Sequence, residues 1–157
     1  MGTCYTNTSE MIKRECLPQW EAVREGIAIW KHALNRIDHP KYRYPQEVYH
    51  AFFGLMREFG IECDIEARAD INPSRDRKTA GKEDALRHLG LVKRALEDGY
   101  PMEHWELDGA FSDYTLSGFS REEALDNLIR YYDTMMNALP DTKFYFLCNL
   151  PNWGWKG

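Results

Sequence analysis

No stretch of the chain approaches the roughly 18 to 20 consecutive apolar residues that a membrane span requires. The opening Met1-Gly-Thr-Cys-Tyr-Thr-Asn7 carries no charged segment followed by an apolar one, so the chain as written reads as soluble, with no export signal and no membrane partner. It also lacks any basic run, and its formal net charge is -5. The counterion release that drives nucleic-acid binding therefore has little to act on, and no nucleic-acid partner is expected. Cysteine is sparse: Cys4, Cys16, Cys63 and Cys148 show neither C-x-x-C spacing nor the density of a disulfide scaffold, which leaves buried thiols as their reading. Internal repeats and low-complexity segments are absent as well.

What is present is the composition of an ordinary globular domain: 157 residues, 43% hydrophobic, 29% charged and 13% aromatic, the size of a single α/β domain. Residues 1–45 read as an N-terminal helical segment and linker. Within it Trp20, Val23, Ile27, Trp30 and Leu34 recur at three- and four-residue steps and predict one helix over 17–37. Two prolines in Asp38-His-Pro-Lys-Tyr-Arg-Tyr-Pro45 end it. Val48, Phe52, Leu55, Met56 and Phe59 predict a second helix that stops before Gly60. A third follows the polar loop 72–81, through Leu86, Leu89, Val92 and Leu96 to Gly99. The Ser120-Arg-Glu-Glu123 capping box opens a fourth, carrying Leu125, Leu128, Ile129, Tyr132 and Met136.

Three segments, 61–67, 102–108 and 143–149, alternate with the period of a strand. Helices alternating with strands are the order of βα units, so the three are expected to be parallel neighbours. Ile65, Leu107 and Phe146 are expected to face helices. An open parallel sheet covered on both sides would show near-continuous apolar strands. Here Ile61, Cys63, Ile65 and Ala67 oppose Glu62, Asp64, Glu66 and Arg68, while Trp105 and Leu107 oppose His104, Glu106 and Asp108. That division points to a partial TIM-barrel-like fold whose polar faces end at a barrel mouth, where functional groups gather.

Same-face carboxylates two residues apart on a strand stand about 6.5 to 7 Å apart. Within that reach a like charge raises one pKa and leaves a proton available for general acid catalysis. Glu106 and Asp108 are accordingly the candidate catalytic pair. Asp64, Glu66, Arg68 and His104 are candidate substrate contacts, and Glu62 and Glu103 are expected to be solvated. His104-x-Glu106-x-Asp108 is also compatible with a divalent metal, but no dense ligand motif supports one, and no cofactor is expected. After the last strand, Asn149-Leu-Pro-Asn152-Trp153-Gly-Trp155 sets amides beside aromatic platforms, a combination that holds sugars.

Taken together, Glu66, His104-Trp-Glu-Leu-Asp-Gly109 and Asn149-Leu-Pro-Asn-Trp-Gly-Trp155 resemble the strand ends of the N-terminal half of TIM-barrel glycoside hydrolases and related carbohydrate-active proteins, over residues 46 to 157. The resemblance implies a glycoside hydrolase with a carbohydrate substrate, Asn149, Asn152, Trp153 and Trp155 holding the sugar. One departure is plain: the Asn-Glu pair common at the fourth strand of retaining glycosidases is missing, since Leu150 follows Asn149. A barrel of this kind takes about 250 residues, so the chain is expected to be an incomplete part of one, marginally stable or self-associating when expressed alone. Two other functions remain open at this point: a metal-dependent sugar isomerase or epimerase using Glu66, His104, Glu106 and Asp108, and a non-catalytic sugar- or protein-binding module.

Overall fold

A computed structural model describes residues 18, 21–34, 45–70, 72–97 and 99–147. Helices and strands alternate as α1 (Glu21–Gly26), β1 (Ile29–Ala33), α2 (Gln46–Phe59), β2 (Glu62–Arg68), α3 (Ala80–Glu97), β3 (His104–Asp108), α4 (Ala110–Leu116), α5 (Arg121–Ala138) and β4 (Lys143–Leu147). The fold is α/β, with one parallel four-stranded sheet in the order β1-β2-β3-β4.

Three departures from the sequence reading have physical causes. Within the helix expected over 17–37, the described residues form instead the short α1 and the strand β1. Trp30 and His32 are buried while Ile29 is exposed, so within β1 a period of two overrides the three- and four-residue spacing that Trp30 also satisfies. Between Gly109 and the Ser120 capping box, where periodicity marked no element, the chain forms α4, whose 7 residues are too few for it to register. Phe146, expected against helices, is 40% exposed, on the strand that ends the sheet among the described residues; Ile65 and Leu107 are fully buried.

By contacts the chain gathers into two compact units, Met1–Ile65 with Leu91–His104, and Glu66–Gly90 with Trp105–Gly157. The first is centred on rings. His32 of β1 packs on Phe52 of α2 at 5.4 Å between centroids, and Phe53 meets Tyr100 at 4.3 Å. Polar atoms inside this core are matched. His32 Nε2 accepts from the Trp30 indole N–H at 3.2 Å, and the Tyr100 hydroxyl donates to the Asp64 carbonyl at 2.8 Å. That hydroxyl therefore accepts from His32 Nδ1–H, 3.3 Å away, which fixes the neutral tautomer of His32.

The second unit repeats the device with different residues. Trp105 of β3 donates its indole N–H to the Tyr131 hydroxyl of α5 at 2.8 Å, and that hydroxyl lies 2.8 Å from His88 Nδ1 on α3. Accepting from Trp105, Tyr131 donates to His88. The buried face of α3 runs through Ala80, Asp84, Ala85 and His88, while Leu86 and Leu96, two of the residues that marked the helix in the sequence, are exposed. At the start of α3, Gly81 is indispensable: a Cβ there would lie 1.9 Å from the Asn127 carbonyl oxygen. Asn127 Oδ1 accepts from the Gly81 N–H at 2.7 Å across this close approach. The expected capping box of α5 is formed, Ser120 and Glu123 exchanging side-chain and backbone bonds.

Candidate functional site

The polar residues singled out in the sequence fall into two sets. Asp64 and His104 belong to the first unit. Asp64 is buried, with Lys31 Nζ 3.9 Å from its carboxylate. His104 is buried against Glu62, Nε2 to Oε2 at 2.5 Å. Glu62 is thus a half-exposed partner rather than a solvated acid. Glu103, also expected in solvent, accepts the Cys63 backbone N–H at 2.6 Å. The Cys63 thiol itself is held far above its usual range, by burial first and then by the charge of Glu103, and it is a buried, inert thiol as expected.

Glu66, Arg68, Glu106 and Asp108 belong to the second unit. Glu106 is buried, Glu66 and Asp108 are half-buried, and Arg68 is exposed. Arg68 and Asp108 are the last residues of β2 and β3, the end at which parallel βα folds build their sites. Directly after Asp108 the backbone turns at Gly109, φ 62°, a left-handed conformation that costs a glycine nothing. This turn starts α4 and puts Asp113 one helical turn on, its N–H bonded to the Gly109 carbonyl at 2.9 Å.

Asp113 is the residue the sequence reading missed. Its carboxylate is 1% exposed, Oδ1 accepts from Arg68 Nη2 at 2.9 Å, and Oδ2 is buried with no hydrogen-bond partner among the described residues. Burial raises its pKa, Arg68 pulls it back, and the negative charges of Asp108 and Asp84 push it up again; the net direction is upward. A carboxyl so placed holds its proton longer than an ordinary aspartic acid.

Beside it stands a second missed carboxylate. Asp84, equally buried, accepts from Arg75 at 2.8 Å, Arg87 at 3.1 Å and the Tyr114 hydroxyl at 3.0 Å. Burial works against the Arg75 charge, but the hydrogen bond and charge of Asp84 hold its guanidinium above the usual range. Burial and then Asp84 likewise push the Tyr114 hydroxyl up. Arg75 also donates to the Ala80 carbonyl, and Arg77 bonds the Gly118 carbonyl and, at 2.9 Å, Glu123. The segment between β2 and α3 is thereby stapled in place.

Among the described residues, no group of three or more His, Cys, Asp or Glu is arranged to hold a metal ion. Asn149, Asn152, Trp153 and Trp155 lie outside the described residues. No family model, curated protein or solved structure matches the chain.

Proposed function

We propose that the chain is part of a carbohydrate-active enzyme of the (β/α)-barrel type, a glycoside hydrolase working by carboxylate acid/base chemistry at the C-terminal ends of its strands. The observation that carries this reading is the pair of carboxyl groups around the end of β3. Asp113 is buried, and burial first, then the charge of Asp108, raise its pKa against the pull of Arg68. Glycoside hydrolysis needs one carboxyl that gives a proton to the leaving oxygen and a second that stays charged to stabilise the sugar cation or activate water. Asp113 takes the first role and Asp108 the second, with Glu106 on the same face of β3 as a further carboxylate for the charged role. Arg68 fixes Asp113 and, with Glu66, offers hydrogen bonds to sugar hydroxyls. Asn149, Asn152, Trp153 and Trp155 supply stacking and amide contacts, and the parallel β1-β2-β3-β4 order is that of successive strands in a barrel.

The test uses aryl glycosides whose leaving groups differ in acidity. Loss of a general acid slows poor leaving groups by about a hundredfold or more and spares those that depart without a proton. Asp113→Asn is expected to show that split, Asp108→Asn to slow every substrate, and the exposed Glu58→Gln to change nothing. Absence of turnover on any glycoside, or an Asp113→Asn effect independent of the leaving group, refutes the reading.

A further inference from the structure

The two members of the Arg68–Asp113 pair live in different surroundings. The Asp113 side chain is 1% exposed and the Arg68 side chain 59%, and a bond of 2.9 Å from Nη2 to Oδ1 joins them. A guanidinium is a rigid fork of N–H donors. Among the described residues Asp113 engages only Nη2, so one corner of the fork is pinned to a buried acid while the rest opens to solvent at the end of β2.

The charge balance of this pair depends on the proton of Asp113. While the carboxylate is ionised, Arg68 has its counter-charge. Once Asp113 is protonated, the form a general acid must have before it acts, the guanidinium keeps its charge and loses its partner. Among the described residues no other carboxylate forms an ion pair with Arg68. Arg87, whose Nη2 reaches the Arg68 carbonyl at 3.4 Å, brings a second cation to the same strand end, and the Asp84 carboxylate that it meets is shared with Arg75 and Tyr114.

We propose that the sugar taken at this site carries an anionic group, a carboxylate or a phosphate ester, and that Arg68 binds it as Asp113 takes up its proton. The inference rests on the general-acid role given to Asp113 above and names the substrate class of that same site. Carboxylate and phosphate oxygens both match the planar fork, whereas a neutral sugar leaves the guanidinium without a counter-charge. Binding and protonation are coupled. An anion on Arg68 weakens the one group that opposes the rise of the Asp113 pKa, and burial then holds the proton more firmly.

Carbon-detected NMR titration of the Asp113 carboxyl in the full chain tests this without requiring turnover. The chain is titrated alone and with methyl glucuronide, a phosphorylated methyl glucoside or uncharged methyl glucoside. At least one anionic glycoside, and not the neutral one, is expected to raise the Asp113 midpoint by about half a pH unit or more, and to bind at least about tenfold more weakly to Arg68→Gln. Arg68→Lys, which keeps the charge and loses the fork, should fall between the two. If circular dichroism shows Arg68→Gln unfolded, Arg68→Lys and the comparison of glycosides on the unmutated chain decide. No binding of either anion, equal binding of charged and neutral glycosides, an Asp113 midpoint that anion binding leaves unmoved, or undiminished binding to folded Arg68→Gln overturns the proposal. A chain that binds anionic glycosides with the Asp113 shift but hydrolyses none retires the hydrolase reading and leaves the anion site standing.

Discussion

Lowering the pH from 7 to 5 should destabilise both units of the protein at once, each through one histidine. Burial depresses the pKa of His32 from 6.5 to about 4, and burial with the nearby Arg87 charge does the same to His88. The unfolded chain therefore binds more protons than the folded one between pH 6.5 and 4, and stability that is complete above that window is lost as the pH falls through it. By pH 5 the cost is about 2 kcal/mol per histidine, roughly 4 kcal/mol for the pair, a large part of the 5 to 15 kcal/mol typical of a domain. The hydrogen bonds give the cause. A proton on His32 Nε2 would face the Trp30 indole N–H, and one on His88 Nδ1 would face the hydroxyl that Tyr131 donates. Urea denaturation at pH 7 and pH 5 measures the loss, with His88→Gln as control. The variant is less stable at pH 7, but its loss on going to pH 5 is about half that of the unmutated protein. Equal losses in the two would show that His88 is not the titrating group, and no loss in either would refute the argument altogether.

Two further substitutions probe the second unit. Asp84→Ala leaves the buried Arg75 guanidinium and the Tyr114 hydroxyl without their shared acceptor, and thermal or urea unfolding should register a loss of about 3 to 5 kcal/mol. Gly81→Ala drives a methyl group into the Asn127 backbone. The chain should lose about 3 kcal/mol or more by the same assay, and the Asn127 amide bonds should disappear from its NMR spectrum.

Much of the architecture was legible because it is local. The Gly60 stop of α2, the Ser120 capping box of α5 and the alternation in β2 and β3 are each set by residues within a turn or two of one another. The strand β1 was not legible, since Trp30 satisfies helical and extended periods alike and only its neighbours in space choose between them. The candidate site divided in the same way. Arg68, Glu106 and Asp108 could be placed from strand alternation, whereas Asp84 and Asp113 lie in helices, where a single acid ordinarily marks the solvent face. For Asp84 a signal existed: Ala80, Asp84 and His88 recur at four-residue steps, a small-residue face that the larger Leu86 and Leu96 obscured. Asp113 carried none, because its burial depends on Arg68, 45 residues away along the chain.

The segment joining β2 to α3 is held by three side chains whose acceptors are mostly main chain. Arg75 bonds the Ala80 carbonyl, Arg77 the Gly118 carbonyl, and Asn127 the carbonyls of Arg77 and Glu123. A main-chain acceptor survives almost any substitution of the residue that bears it. Ser74 and Lys78, both exposed, can therefore be varied without slackening these anchors, whereas the Asp76 side chain must stay, since its Oδ1 accepts the Lys78 N–H at 2.8 Å. A library built at those two positions would vary the surface chemistry of the segment while the path of the chain stays the same, so selection could rewrite that surface faster than it could unmake the fold.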